Sequence, residues 1–520
     1  MTKLQRLVVG VLACVLTACA SLPPQSGRQQ TVALQHTEST RLGTLFEPEE
    51  QSHPGESAFH LLPDPTDAIV ARIMLTETAE RSLDLQYYIW HDDLTGRELA
   101  AAVLKAADRG VRVRVLLDDL GTNADDQVLL ALASHPNVQI RLFNPVASRH
   151  FKSLATALEF SRVDRRMHNK ALIADNEAAI LGGRNIGDEY FGVSSVVAFG
   201  DLDVLTHGPI VRQVSSVFDQ FWNSTTSYSI EDLMGHPADP GALPAYRAKL
   251  DEYVASEHNA PYVVQARQRL NNALAAGETD FSWGKATLLY DDPSKITRDP
   301  SDPQGHLMTR FAALNLKPAH EMLIISPYFV PGKEGVAWIR DLTDHGVHVT
   351  VLTNSLAATD VAAVNAGYQH YRKDLLDAGV KLYELKPVSA SGDKVPKAGR
   401  KFFGSSRASL HAKTYVFDRQ SIFIGSMNLD PRSSKLNTEI GVLCDSPEIA
   451  GQVIDDLEPK LDLIAWRVEQ RTDADGKTRI VWIDTGENGT VTEYDSEPDV
   501  SFMRRTSVWF LGLLPIESEL

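Results

Sequence analysis

Three cysteines in 520 residues, two of them within the first 19, leave Cys444 alone in the body of the chain. No intramolecular disulfide is available to it, and a cysteine-based zinc site is argued against, so the fold must rest on a buried core. Positive charge is scarce: 51 Lys and Arg face 68 Asp and Glu, a net charge of −17. That balance speaks against a generic nucleic-acid binder, whose footprint is a basic face. The apolar runs near the two ends, Leu7 to Thr17 and Ser507 to Ile516, are both too short to span a bilayer comfortably. What remains is 43% apolar and 23% charged, a globular composition long enough for two ordinary domains or one duplicated one.

The first residues read as an export signal. Lys3 and Arg6 precede the apolar run, which ends in "LTACAS". Leu16-Thr17-Ala18-Cys19 resembles the lipobox of bacterial lipoproteins, implying cleavage after residue 18 and acylation of Cys19. Ala20 after the cysteine favours the outer membrane, facing the periplasm, over inner-membrane retention. Residues 19–57 are rich in Gln, Ser, Thr, Pro and Glu and read as a flexible tether.

Beyond the tether the pattern is that of an α/β protein. "SLDLQYYIW" from Ser82 predicts a strand, "GRELAAAVLKAADRG" from Gly96 a helix, and "VRVRVLLDD" from Val111 a second strand, together a βαβ unit. The order recurs in "EMLIISPYFV" from Glu321, a helical "GVAWIRDLTDHG", and "VHVTVLTNS" from Val347. A repeat with the period of a domain predicts two halves, residues 58–235 and 286–470, joined by a helical connector over 236–285. Residues 471–520 read as a hairpin, "RIVWID" and "TVTEYD" around "TGENG", followed by an apolar tail that rests on lipid, packs near the site or joins the core.

The repeat carries chemistry. His168, Lys170, Asp175, Gly182 and Asn185 recur 243 positions later as His411, Lys413, Asp418, Gly425 and Asn428. A His followed by Lys at +2 and Asp at +7 arises by chance roughly three times in a thousand, so two such copies with matching Gly and Asn are not accidental.

Two H-x-K-x4-D-x6-G-[GS]-x-N motifs in a duplicated α/β chain resemble the phospholipase D superfamily. "GGRNIGDEYF" from Gly182, the lipid-facing address and the C-terminal "LLPIESEL" make the chain look most like its bacterial cardiolipin synthase branch. The resemblance implies a duplicated phospholipase D-type fold, two mixed and mostly parallel sheets flanked by helices, with the active site at the pseudo-twofold interface. It implies a phosphohistidine mechanism: one of His168 and His411 attacks phosphorus and the other protonates the leaving alcohol. Lys170 and Lys413 would clamp the non-bridging oxygens, Asn185 and Asn428 would donate hydrogen bonds to them, and no metal or other cofactor is needed. An acid downstream of each motif would orient each imidazole, best matched by Glu439 and Asp201, the latter five residues further from its motif. Asp175 and Asp418 belong to the motif and invite a His–Asp dyad. Each sits seven residues past its His, where a strand turns back, which favours bonding to turn backbone.

Residues 141–170 hold seven Lys or Arg against two acids and 386–413 seven against one, basic patches that would focus an anionic head group at the site. Tyr88 and Tyr328, at matched places in the repeats, are candidates for substrate contact or core packing, and Phe402 and Phe403 beside Lys401 suit an interfacial loop. The implied partners are phospholipids, phosphatidylglycerol and possibly phosphatidylethanolamine. The favoured activity is phosphatidyl transfer to phosphatidylglycerol, giving cardiolipin. Hydrolysis to phosphatidic acid by the same residues, a nuclease and a non-catalytic binding protein are the alternatives.

Overall fold

The computed structural model describes residues 21–25, 28–122, 125–149, 152–194, 198–276, 280–387 and 408–514. The signal segment, Cys19 and nearly all of the basic 386–410 loop, including Phe402 and Phe403, lie outside these residues.

Each half is built on three parallel strands. In the first, Ser82–Tyr87, Arg112–Asp118 and Val138–Phe143 lie side by side, connected by helices Leu94–Asp108 and Asp126–Ala133. Asp93 starts the first of these helices by accepting the Gly96 N–H at 3.0 Å. The second half repeats the triplet with Glu321–Ile325, His348–Asn354 and Lys381–Leu385. All other pairings within the main sheet are antiparallel, including the hairpins that carry the motifs, Ala171–Ala174 with Ala178–Gly182 and Lys413–Phe417 with Ser421–Gly425.

Two expectations are corrected. The sheet is mixed but mostly antiparallel, and among the described residues it is one sheet of 18 strands. Strand Ser57–Leu62 pairs with Asp203–His207 of the first half and with Ser282–Tyr290, which pairs in turn with Ile440–Asp445 of the second. Two strands that straddle the expected boundaries, at residues 57/58 and 285/286, thus fuse the two expected sheets. Between them, helices Ala242–Glu257 and Pro261–Ala276 lie on the outside.

The strand period of two divides the core into layers. Leu116 faces a core shared by both halves, with Phe59, Trp222, Ile325, Leu352 and Ile424, whereas Val115 and Leu117 face the first half's own helices. Trp222 is fully buried in the shared layer, and its truncation to Ala would cost about 3–5 kcal/mol.

The tether is also corrected: Gln25 Nε2 already donates to Thr225 O at 3.0 Å and Arg28 to Trp222 O at 3.3 Å. Gln29 O and Thr31 O accept hydrogen bonds from Arg141 and Arg114, and Ala33 N donates to Asp219 at 2.8 Å. Helix Arg41–Ser52 buries Leu42 and Phe46 in the first half's core. A polar composition suggested a solvated strand of chain; here its backbone oxygens satisfy buried guanidinium groups, which the sequence does not announce.

C-terminally, Thr478–Thr485 and Val491–Tyr494 form the expected hairpin and extend the sheet through Ala465–Thr472. Helix Phe502–Gly512 then packs through Val508 against Leu356 and Ala366.

Candidate active site

Each motif histidine is delivered by backbone pairing across the two halves. The His168 N–H donates to Thr438 O at 2.8 Å, beside a parallel bridge between Met167 and Thr438. The His411 N–H donates to Gly200 O at 2.7 Å, where Ala198–Gly200 pairs in parallel with Ala408–Leu410. The residue after each acceptor is an acid, and that acid reaches the histidine of the opposite half. His168 Nδ1 lies 2.9 Å from Glu439 Oε2, and His411 Nδ1 lies 2.6 Å from Asp201 Oδ2. The two acids expected from spacing therefore serve the histidines, exchanged between halves. Neither half holds a complete His–acid pair.

Burial sets the protonation states. Desolvation, with the neighbouring lysines adding to it, lowers His168 to about 4 and His411 to about 3 despite the facing carboxylates. Burial alone would raise Glu439 and Asp201; the facing His and the lysines outweigh it and hold both carboxyls below their ordinary range. At neutral pH each ring is neutral, gives its Nδ1–H to a carboxylate and presents the unprotonated Nε2, the nucleophilic tautomer. Lys170 and Lys413 are buried beside them, and their ammonium groups donate to the carbonyls of His168 and His411. Desolvation lowers Lys170 to about 7 and Lys413 to about 8. An anion entering this centre would restore both charges.

Asn185 and Asn428 sit at the ends of the motif hairpins. Asn185 Nδ2 donates to Tyr190 Oη at 2.9 Å while its Oδ1 accepts from Ile89 N; Asn428 is held by Ser433 Oγ. Asp175 and Asp418 do not join the centre. Asp175 accepts from the N–H groups of Glu80, Arg81 and Ser82 at 2.7–2.9 Å, and Asp418 from Ala319, His320 and Glu321 over the same range. Both have positive φ, 52° and 51°, and open the turn that joins the two strands of each motif hairpin. Theirs is the turn role, not a dyad.

The expected basic patch over 141–170 is largely internal. Arg149 and Lys152 pair with Asp119, Arg162 with Glu159 and Arg166 with Asp118. The acids lie mostly outside the segment, so its local charge count overstated its field. The Arg166–Asp118 pair instead fixes the chain just before His168, with Met167 N donating to Asp118 at 2.9 Å.

Tyr88 stacks edge-on against His168, ring centroids 5.3 Å apart, whereas Tyr328 gives its hydroxyl to Asp360. Sequence reasoning missed Tyr190 and Phe199, whose rings lie 5.3 and 5.0 Å from His411, and Ser426, whose Oγ donates to Glu439 at 2.5 Å. The motif's variable [GS] position held the signal. Where the second half has Ser426 the first has Gly183, and a Cβ there would come within 2.2 Å of Asp201 Oδ1. The shorter acid needs that space to reach His411.

Among the described residues one cluster has metal-ligand spacing, His91, Asp93 and Glu189. Within it, Asp93 is engaged as a helix cap.

Two buried neutral imidazoles, each oriented by a carboxylate and each under the charge of both lysines, make a centre for displacement at a phosphodiester. The sequence of this chain agrees. Residues 73–222 and 315–460 match the family described as cardiolipin synthase, PLD-like domain, and the chain belongs to that family. It is 40% identical over 486 residues to cardiolipin synthase C of Escherichia coli (strain K12), covering 92% of this chain and 99% of that protein. An uncharacterized protein of Helicobacter pylori (strain ATCC 700392 / 26695) is 32% identical, covering 92% of each chain. Among solved structures, phosphatidylserine synthase of Haemophilus influenzae Rd KW20 shares the fold at TM-score 0.56 and 14% identity, covering 91% of this chain and 99% of that one.

Proposed function

We propose that the chain is a phosphatidyltransferase that forms cardiolipin from phosphatidylglycerol. The exchanged His–acid pairs carry this reading, with near full-length likeness to cardiolipin synthase C in support. Nε2 of one histidine attacks the phosphorus of a phospholipid, forming a P–N bond as the bond to the head-group oxygen breaks. The other histidine, which takes up a proton at Nε2 as the anionic phosphodiester enters the centre, gives that oxygen its proton. Lys170 and Lys413 neutralise the non-bridging oxygens, and Asn185 and Asn428 adjoin them as donors. A hydroxyl of phosphatidylglycerol then loses its proton to the second histidine and attacks phosphorus, breaking the P–N bond and releasing cardiolipin. The donor is phosphatidylglycerol or phosphatidylethanolamine.

Vesicles of phosphatidylglycerol, with and without phosphatidylethanolamine, test this by mass spectrometry of the products. Cardiolipin supports the reading, and the alcohol released identifies the donor. Phosphatidic acid alone would make the protein a hydrolase in which water takes the second step. The sequence also supports a lipid anchor at Cys19 in the bacterial envelope, most consistent with the outer membrane facing the periplasm. Palmitate labelling that persists in Cys19→Ser would refute the anchor.

A further inference from the structure

Helix Phe502–Gly512 is anchored by a narrow face. Val508 is buried against Leu356, Ala366 and Val500, and a Cβ on Gly512 would lie 3.2 Å from His370 Nε2 on helix Ala362–Asp377. Its other side is apolar and open to solvent: Phe502 is 79% exposed, Met503 80%, Trp509 and Phe510 59%, Leu513 63% and Leu514 52%. At 3.6 residues per turn these six fall in one stripe about 140° wide. Isolated apolar residues on a surface need no explanation; a contiguous stripe of this kind marks an interaction site.

A second patch lies in the other half, on the short helices Lys152–Leu158 and Phe160–Val163, where Leu154, Leu158 and Phe160 are 50%, 69% and 58% exposed. Both patches adjoin elements that hold the catalytic centre. Arg504 of the C-terminal helix donates to Thr359 O, next to Asp360, the partner of Tyr328. Asp164, one residue past the second patch, pairs with Arg432, whose charge acts on Tyr88 beside His168.

We propose that these two patches dock the protein on an anionic lipid surface, so that the centre both adjoin meets the head groups. The proposal rests on the reading that the substrates are phospholipids. A bilayer engages two separate patches at once, Trp and Phe suit the interfacial depth, and Arg504 and Arg505 at the start of the stripe complement anionic head groups. Docking of this kind adds a second, reversible contact beside any lipid anchor.

The test uses full-length protein with phosphatidylglycerol–phosphatidylethanolamine vesicles and an environment-sensitive fluorophore on Phe510→Cys, Leu158→Cys or, as control, Lys105→Cys. Lys105 is exposed near the C-terminal end of helix Leu94–Asp108, away from the sheet edge that bears the site. Labels at 510 and 158 should shift to the blue and be quenched by spin labels on lipid acyl chains, while 105 stays in water. A Trp509→Ser, Phe510→Ser double variant should lose about tenfold in activity on vesicles and keep its activity on a short-chain monomeric phosphatidylglycerol. Labels at 510 and 158 that remain in water while cardiolipin still forms would overturn the docking and leave the catalytic reading intact. Quenched labels without lipid turnover would uphold docking and break that reading instead. Labels already out of water without vesicles would assign the stripe to a second copy or to the chain's own tail, and overturn the proposal.

Discussion

Replacing Glu439 by Gln removes one charge from the His168 pair and keeps its shape, so it isolates what the exchanged acid does. The Glu439 carboxylate sits 2.9 Å from His168 Nδ1 and is fully buried. Charge centres about 4 Å apart at an effective dielectric near 20 interact by about 4 kcal/mol, felt only once the ring turns cationic in the transition state. That predicts a loss of roughly 10³ in kcat, since each 1.36 kcal/mol is about tenfold. KM should change less than kcat, because the ground-state ring is neutral; what change there is comes through Lys170 and Lys413, whose charged forms Glu439 favours. Cardiolipin formation in mixed micelles, measured against substrate concentration, separates the two constants, and thermal melting confirms the fold. A kcat within tenfold of the parent would refute the charge-stabilising role assigned to Glu439.

Asp175→Ala should lower stability by about 3 kcal/mol or more by stranding three backbone donors, with kcat per folded molecule unchanged; urea unfolding and active-site titration check both. Stability should fall with acid. The folded-state values of His168 and His411, about 4 and about 3, lie below the unfolded 6.5. The unfolded chain therefore binds protons first, and stability present above pH 6.5 is lost as pH drops from there toward about 4 and 3, readable in melts against pH with His168→Ala as comparison. Binding of vanadate at pH 7–8 should take up about one proton, as Lys170 and Lys413 regain the charge that burial suppresses. Titration calorimetry in buffers of different ionisation enthalpy measures this, and no uptake would contradict the lowered lysines.

The motif residues were legible because a pattern repeated at a fixed offset of 243 cannot arise from local folding needs alone. The exchange of acids was not. Within each half the spacing from His to acid is compatible with pairing at home, and only the strand contacts at Thr438 and Gly200 send each carboxylate across. The same limit hid the single sheet. Ser57–Leu62 and Ser282–Tyr290 are ordinary strands by pattern, but their partners lie in opposite halves. Charge density misled over 141–170 for a related reason: Asp118, Asp119 and Asp126, which neutralise it, are distant in sequence and near in space.

The exchanged pairs also set a clock. His168 and Glu439 are 271 residues apart along the chain, so at ordinary synthesis rates of about 5–20 residues per second the partner emerges roughly 14–54 s after the histidine. Until the second half has folded onto the first, both imidazoles lack their acids, and the nascent chain holds no complete catalytic pair.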